Sequence, residues 1–297
     1  WVEGAKHPDI ASGTRPSFGG GLGVHLNQSV DKGLPYSDPK VVKAMFLAFD
    51  QPRFMAVVEA AFKPSRLQGW LPLSNPAALT PEELAKIPGY RADKSEDLPA
   101  AKALMAEAGY PDGFKGTLTC INPALQAEVL CPEMQAQFKS SLNIDLELII
   151  VDRSGVGDIY TSGDWEFFYG APPIGVRLSD PTPNWLTEAV CGAEKNYRGY
   201  CNPELDEVVM TLLDEFDPIK RNNLFAKARD LLNEQPPGLL GGANQALPLW
   251  WKFVKGHAMS PPGHMFIQWG RFDTEWLDKP ESVIQEHRTV CDAKVCG

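Results

Sequence analysis

Apolar residues along this chain alternate between the spacing of an α-helix and the spacing of a β-strand. In residues 205–216 they recur at helical spacing, which is the pattern of a helix with one buried face. Residues 144–151 instead alternate apolar and polar side chains, as a half-buried strand does. Because helices and strands are interleaved, we predict an α/β fold with a mixed sheet. Further helical patterns cover 38–62, 97–109, 124–142 and 217–232, and further strand-like patterns cover 22–27, 165–169, 246–254 and 265–269.

The predicted helices carry residues that helix ends prefer. Asp-Pro at 38–39, and again at 217–218, suits a helix start. The capping box at 80–83 opens a short helix. Pro52 should divide the first pattern into two helices, because the residue before a proline avoids the helical conformation. The pattern at 124–142 is predicted as one longer helix despite Pro132.

The formal net charge of −10 argues against a nucleic-acid partner, because contacts to phosphates require clustered Lys and Arg. With 43% hydrophobic and 22% charged residues, the 297-residue chain can bury one large core or two lobes.

The longest apolar stretches fall far short of the about 20 residues of a membrane span. The chain starts at Trp1 and shows no signal peptide. We expect either a removed leader or a start partway through a longer protein.

The cysteines fall into close pairs along the sequence: Cys120/Cys131, Cys191/Cys201 and Cys291/Cys296. Six cysteines allow 15 pairings, and the sequence alone does not choose among them. No C-x-x-C is present and no His stands at zinc-ligand spacing from a pair, so we expect no metal site. Close pairs in even number favour disulfides and an oxidising compartment. The alternative is six buried thiols in a cytosolic protein.

The sequence does not match the motifs of catalytic or phosphate-binding sites that it superficially resembles. The glycine-rich stretch 19–23 lacks the preceding strand and the Lys-Ser/Thr ending of a phosphate loop, so we interpret it as a flexible turn. No serine lies in a G-x-S-x-G motif. We therefore expect no catalysis and no cofactor. The histidines are scattered along the chain: His7, His25, His257, His264 and His287.

The most distinctive segment is an aromatic strand followed by a loop of glycine and proline. Residues 165–169 end in Tyr169 and lead through Gly170 to Asp180 and Trp185. Aromatic side chains offer apolar area and stacking, and one Asp can pair with a cation or an amine, so this segment is a candidate ligand wall. The alternative is that the aromatic residues belong to the core and that Asp180 caps the helix that follows.

Several stretches follow one another in an order known from one family. A strand ending at Asn27 leads through a proline-containing loop into a helix at 41–50. Residues 101–114 match a helix of the form A..LL.eAGy followed by a dGf turn. A DP loop follows at 180–181, and a Gy.np..D pattern follows at 199–206. Over roughly residues 22–280 the chain resembles the family 5 extracellular solute-binding proteins, the dipeptide-, oligopeptide- and nickel-binding type.

The resemblance implies a type II periplasmic-binding-protein fold, the two-lobed Venus-flytrap clamp that closes on a ligand and docks on a permease. It implies a remnant of the first lobe with a hinge strand at 1–27, the second lobe at 28–245, and strands and a tail returning to the first lobe at 246–297. Most of the first lobe is expected to be missing from this chain. The pair Cys191 and Cys201 resembles a disulfide of dipeptide-binding relatives.

The resemblance also implies a site and a function. Asp180 matches the residue that pairs with the amino terminus of a peptide ligand, and Trp185, Tyr169 and Gly170 are expected beside it in the cleft between the lobes. The expected function is capture of a peptide or another amine-bearing solute, in the periplasm or at the extracellular face, and delivery to the transmembrane subunits of an ABC permease. We expect membrane contact only through that permease or a lost N-terminal anchor.

Two other classes of function stay open at this point. One is a secreted hydrolase, whose carboxylate pair needs oxygens about 5–10 Å apart in one cleft. The other is a sensor that uses the same clamp but docks on a receptor. The ligand and the oligomeric state are not readable from the sequence. The candidate carboxylates for the hydrolase are Asp152, Asp158, Asp164 and Asp180.

Overall fold

The structure is a computed structural model that describes residues 10–12, 23–62, 65–121, 126–171, 180–240, 243–244, 249–252, 254–255 and 276–277. The chain divides into two compact units. The larger unit spans 16–245, and the smaller unit combines 1–15 with 246–297. The assignment of lobes to the chain, with boundaries at residues 27 and 245, stays a prediction.

A mixed five-stranded sheet organises the larger unit. Its strands are β2 (Gly23–Leu26), β4 (Lys115–Ile121), β5 (Asp145–Val151), β6 (Phe167–Ala171) and β7 (Gly238–Leu240). Their order across the sheet is β5-β4-β6-β2-β7. Strand β4 runs parallel to β5 and β6, whereas β2 runs antiparallel to β6 and β7. The predicted α/β fold with a mixed sheet is therefore confirmed.

Several helices of this unit begin where the sequence places capping residues. The Asp38 carboxylate accepts a bond from the Lys40 backbone N–H at 2.8 Å, and Thr80 forms the predicted capping box with Glu83. Asp217 likewise caps the longest of these helices. The helices are α1 (Pro39–Ala48), α2 (Gln51–Phe62), α3 (Pro81–Leu84), α4 (Asp97–Glu107), α5 (Cys131–Leu142), α6 (Val156–Ser162), α7 (Thr182–Glu188), α8 (Pro203–Asp214) and α9 (Pro218–Glu234). Short 3-10 turns lie at Val30–Lys32, Pro35–Ser37 and Arg153–Gly155.

The two faces of the sheet carry different side chains, because successive residues of a strand point to opposite sides. Val24, Tyr169 and Cys120 are neighbours across β2, β6 and β4, and they belong to the main core with helices α1, α2, α4 and α5. His25 and Phe168 pair one position further along and therefore face the other side. On that side Phe168 belongs to a small apolar cluster packed against α6.

Two predicted elements differ from the structure. The pattern at 124–142 is not one α-helix: a π-helical turn at Gln126–Leu130 precedes α5, and Pro132 lies in the first turn of α5. A proline is tolerated there because the first turn has no partner for its backbone N–H groups. The strand predicted at 165–169 begins two residues later, at Phe167. The Trp165 carbonyl is instead used by the Asn27 side chain, which donates to it at 2.8 Å.

The remaining strands are short. In the larger unit β3 (Ser65–Arg66) pairs with β8 (Ala243–Asn244). In the smaller unit β1 (Ile10–Ser12) pairs with β9 (Leu249–Trp251), and β10 (Val254–Lys255) pairs with β11 (Trp276–Leu277). The strand predicted at 265–269 lies outside the described residues. Within the described ranges, no helix has the length and apolar character that crossing a membrane requires.

Candidate functional site

Asp180 lies two residues before the first residue of α7, with about half of its side chain exposed. One carboxylate oxygen, Oδ1, accepts a hydrogen bond from the Thr182 backbone N–H at 2.9 Å. The other, Oδ2, accepts from Nη2 of Arg221 at 2.6 Å. Asp180 therefore binds the backbone N–H of Thr182, the first residue of α7, and pairs with a cation at the same time, two roles that a short side chain with two acceptor oxygens can combine.

Arg221 is held in place independently of Asp180. Its Nη1 donates to the backbone carbonyls of Leu212 and Glu215, at 2.6 and 2.7 Å. Its guanidinium also lies 5.4 Å from the ring centroid of Phe225, within cation–π range. Sequence reasoning missed this residue, because it is 41 positions from Asp180 and no motif links the two.

Trp185 and Tyr169 are fully buried in this structure, with 0% exposure. Trp185 packs edge to face on Phe225, with ring centroids 6.1 Å apart. Tyr169 packs on Phe54 at 6.2 Å, and burial raises the pKa of its hydroxyl well above the usual value. Both side chains lie in the core of the larger unit, and their predicted role in lining a ligand cleft stays a prediction.

Gly170 lies in β6 next to Tyr169. The pairing of β6 with β2 shifts there, because Gly23 faces Ala171 while Val24 faces Tyr169. Gly170 is the extra residue of a β-bulge, a feature that bends a strand and is common beside binding sites. Its role in ligand binding stays a prediction.

A second polar cluster lies on the α6 side of the sheet, and sequence reasoning did not anticipate it. Nη2 of Arg198 donates to Oη of Tyr160 at 3.0 Å, and Tyr160 Oη lies 3.1 Å from Nδ1 of His25. Arg198 and His25 are 3% and 1% exposed. A tyrosine hydroxyl has two acceptor lone pairs and one hydrogen, so the direction of the Tyr160–His25 bond follows the tautomer of His25.

The carboxylates proposed for a hydrolase have separate surroundings. Asp164 pairs with Lys32 at 2.9 Å, whereas Asp180 pairs with Arg221. Asp152 and Asp158 are exposed, in the turn before α6 and in α6 itself. In the ranges that the structure describes, no group of three His, Cys, Asp or Glu side chains is placed to hold a metal ion.

Two of the predicted disulfides are present, one between Cys120 and Cys131 and one between Cys191 and Cys201. The prediction of disulfides is confirmed for these two pairs, and the structure supplies the connectivity that the sequence left open. The third pair, Cys291 and Cys296, lies outside the described residues. The second bond fastens the loop between α7 and α8.

Asp206 of α8 supports the Cys191–Cys201 loop. Its carboxylate accepts the backbone N–H of Cys191, with Oδ1 at 3.2 Å and Oδ2 at 3.3 Å. Burial raises the pKa of Asp206, while the Cys191 bond opposes that shift. The carboxylate therefore tethers the beginning of the loop, at Cys191, to the first turn of α8.

The fold is that of type II periplasmic binding proteins. The solved structure of the periplasmic binding protein DppA from Helicobacter pylori, in complex with the peptide STSA, superposes with a TM-score of 0.70 at 19% identity. The match covers 94% of this chain and 51% of the solved one. The likeness establishes the fold, so the predicted fold class is confirmed.

The family follows from the sequence comparison. Residues 14–187 match the profile of the bacterial extracellular solute-binding proteins, family 5 middle region. The chain belongs to this family, as the resemblance implied. Family membership also confirms the predicted location outside the cytoplasm, in the periplasm or at the extracellular face of the membrane.

Curated relatives of this chain are named as binding proteins. The probable di/tripeptide-binding protein 5 of Pseudomonas aeruginosa is 28% identical over 242 residues, covering 77% of this chain and 42% of the relative. The glutathione-binding protein GsiB of Shigella dysenteriae is 23% identical over 218 residues, covering 68% of this chain and 39% of the relative. The chain thus spans well under half the length of the curated relatives that it matches.

Proposed function

We propose that this protein is the solute-binding component of an ABC importer, and that it captures a small peptide or another amine-bearing solute in a cleft. The observation that carries the proposal is the family match over residues 14–187, joined to a fold shared with a peptide-bound binding protein. Relatives named for di- or tripeptides and for glutathione support ligands that carry an amino group. Proteins that share one fold can bind different solutes, so the identity of the ligand has to be tested by binding experiments on the site itself.

Asp180 is the proposed anchor for the ligand amine. An ionised carboxylate offers about four acceptor positions, and the described contacts use two of them, from Thr182 and Arg221. Its exposed half leaves the remaining lone pairs accessible, and the two fixed donors hold the carboxylate in one orientation. A ligand ammonium would add a charge-assisted hydrogen bond and would share the negative charge with Arg221.

The proposed partners are the transmembrane subunits of an ABC permease and no nucleic acid, with membrane contact only through that permease or a lost N-terminal anchor. The family placement supports a permease as the kind of partner. A sensor docking on a receptor is the second candidate for the partner. Permease and ATPase genes beside the gene for this protein favour transport, whereas a receptor gene in that position favours sensing.

We also propose that the protein binds its solute without chemical conversion. The relatives named above are binding proteins. The separate ion pairs of Asp164 and Asp180 support binding over carboxylate-pair hydrolysis. Incubation with alanylalanine, followed by mass spectrometry of the mixture, tests this point, because release of free alanine would favour the hydrolase.

The decisive experiment compares two Asp-Pro positions. Asp180 and Asp217 each precede a proline and each accept backbone N–H bonds at the start of a helix. Calorimetry would measure binding of alanylalanine and of its N-acetyl derivative to the wild type, Asp180→Ala and the matched control Asp217→Ala. Loss of a charge-assisted bond should weaken alanylalanine binding to Asp180→Ala by about 10- to 100-fold.

The control variant Asp217→Ala should retain the wild-type affinity for alanylalanine. The N-acetyl derivative, which has no ammonium group, should bind the wild type as weakly as alanylalanine binds Asp180→Ala. If Asp180→Ala left the affinity for alanylalanine unchanged, the assignment of Asp180 would be wrong. Ligand recovered by mass spectrometry from the purified wild-type protein would identify the natural solute class.

A further inference from the structure

The two edges of the five-stranded sheet differ in how they are protected. Strand β7, at one edge, has three residues and directly follows Pro236 and Pro237. Strand β5, at the other edge, has seven residues, Asp145 to Val151, and pairs with β4 along its whole length without a bulge. It contains no proline, glycine or lysine. Short strands, prolines, lysines and bulges keep an edge from pairing with another chain, and β5 has none of them.

The hydrogen bonds of β5 show which of its backbone groups point away from the sheet. The Asp145 N–H donates at 2.8 Å to the carbonyl of Phe114, the residue just before β4. Because the backbone groups of successive strand residues point in opposite directions, every second residue from Asp145 onward bonds to β4. The N–H and C=O groups of Leu146, Leu148 and Ile150 therefore point to the open edge.

One of these outward groups has a partner in the described part of the chain. The Leu146 carbonyl accepts a hydrogen bond from Nε2 of Gln135, which belongs to α5. The N–H and C=O groups of Leu148 and Ile150 have no hydrogen-bond partner among the described residues. Donors and acceptors are thus free to pair over a stretch of three residues.

The side chains at this edge are apolar and reach the surface on both faces of the sheet. Ile149 is 41% exposed on the α6 side, and Ile150 is 49% exposed on the side of the main core. Leu148 beside them is half-buried. A long, regular edge strand with exposed apolar side chains favours the addition of a further strand.

We propose that the β5 edge joins two copies of this chain, with the two β5 strands antiparallel and Ile149 on the two-fold axis. In this register Leu148 of each copy faces Ile150 of the other. Each such pair exchanges two backbone hydrogen bonds, and the symmetry repeats the pair. The Leu146 carbonyl, which Gln135 occupies, falls outside these pairs. The proposal uses the sheet alone and does not rest on the proposed function.

The charges of the strand are compatible with a second copy as the occupant. Glu147 faces Val151 of the second copy, so the two Glu147 carboxylates are not opposed. Arg153 is exposed, follows the strand by two residues and takes part in none of the ion pairs between described residues. The antiparallel register brings it to the end of the ladder where Asp145 of the second copy begins, and these charges are opposite.

Sedimentation velocity of the full chain is the first test. The wild type should show a monomer–dimer equilibrium that depends on concentration. Ile149→Lys sets two ammonium groups opposite each other on the axis and should weaken the dimer by about 10- to 100-fold. Met210→Lys is the matched control, because Met210 is 52% exposed in α8, and it should dimerise as the wild type does. A wild type that stays monomeric, or an Ile149→Lys dimer of wild-type affinity, would overturn the proposal.

A charge exchange tests the register and does not depend on the stability of one variant. Ile149→Lys and Ile149→Glu should each be monomeric alone, because position 149 faces itself in the second copy. An equimolar mixture of the two should form a heterodimer, since the ammonium and the carboxylate then face each other. A mixture that stays monomeric, in conditions where the wild type dimerises, would show that the two-fold axis does not pass through this residue and would refute the proposed interface.

Amide hydrogen exchange, followed by NMR, shows what covers the edge. The amides of Leu148 and Ile150 should exchange slowly in the wild-type dimer and rapidly in Ile149→Lys. The amides of Glu147 and of residue 149 bond to β4, so they should exchange slowly in both proteins and report that the sheet is intact. Slow exchange at Leu148 and Ile150 in a monomeric protein would mean that another segment of this chain covers the edge, and the second copy would be excluded.

Discussion

The guanidinium of Arg221 donates a 2.6 Å hydrogen bond to the carboxylate of Asp180, across 41 positions of sequence. Arg221 belongs to α9 and Asp180 precedes α7, so this bond joins the starts of two helices. Under the proposed function, a ligand amine at Asp180 would meet a carboxylate whose charge is already partly neutralised by Arg221. Binding there would then depend on hydrogen-bond geometry as well as on charge.

Replacing Arg221 by glutamine should destabilise the chain. The guanidinium donates to two backbone carbonyls, those of Leu212 and Glu215, besides its ion pair. The partly exposed ion pair contributes little, but the lost bonds to the carbonyls should lower the free energy of unfolding by about 1–2 kcal/mol. Urea denaturation measures this change, with Lys220→Gln as the control, since Lys220 is exposed and lies 3.8 Å from its acidic partner. Equal losses in both variants would contradict the assigned contacts.

Removing the Cys120–Cys131 disulfide should also lower stability. The two cysteines are 11 positions apart and both are fully buried. In the chain-entropy account, closing a loop of that length stabilises the folded state by about 2–3 kcal/mol. We expect the double variant Cys120→Ala/Cys131→Ala to lose about that much free energy of unfolding. The wild type measured with a reducing agent should approach the variant, and an unchanged denaturation midpoint in both would argue against the bond.

The sequence predicts most helices of the larger unit because the signals for them are local. Asp38, Thr80 and Asp217 each cap a helix that begins one residue later, and the apolar stripes follow. The disulfides are partly predictable for the same reason, since each pairs cysteines that are close in the chain. Pro132 is the exception, because the pattern around it is continuous whereas the α-helix begins at Cys131.

The contacts of the candidate sites are not predictable in this way. His25 lies 135 positions from Tyr160, and Tyr160 lies 38 positions from Arg198. Such pairs form only once the strands are arranged in the sheet, and the spacing of apolar residues along the sequence does not predict the order of the strands. Asp180 was identifiable from the DP loop, but Arg221 was not, because nothing in the spacing of charges distinguishes it from the other arginines of the chain.

Gly199 is predicted to be intolerant of a side chain. Its φ is +64°, and a Cβ would lie 2.6 Å from the Cα of Ser29. Gly109 provides a matched control, because its φ is +88° but no atom lies within 4 Å of the added Cβ. Gly109→Ala should lower the free energy of unfolding by about 1–2 kcal/mol from the positive φ alone, and Gly199→Ala should lower it further through the collision.

Denaturation curves of the two glycine variants give the comparison directly. A Gly199→Ala variant as stable as Gly109→Ala would show that the backbone around Ser29 moves to accommodate the added Cβ. The close approach of Gly199 to Ser29 would then not be required for the fold.

Four buried tyrosines should make the fold sensitive to alkaline pH. Burial raises the pKa of Tyr36, Tyr90, Tyr169 and Tyr200 above the value of about 10 expected in the unfolded chain. Their contribution to stability is therefore fully present below pH 10, and it is lost as the pH rises toward the folded-state pKa values. We expect the free energy of unfolding to fall with pH above about 10.

Tyrosinate absorbance distinguishes this mechanism from the titration of other groups. In the folded chain these four phenols should stay protonated, so their tyrosinate signal should appear together with loss of the fold and not before it. Tyr36→Phe is the matched variant, because the buried Tyr36 hydroxyl has no hydrogen-bond partner among the described residues. Its stability near neutral pH should equal or exceed that of the wild type, and its loss of stability at alkaline pH should be smaller. Full tyrosinate absorbance in a chain that keeps its native circular dichroism would contradict the burial of these side chains.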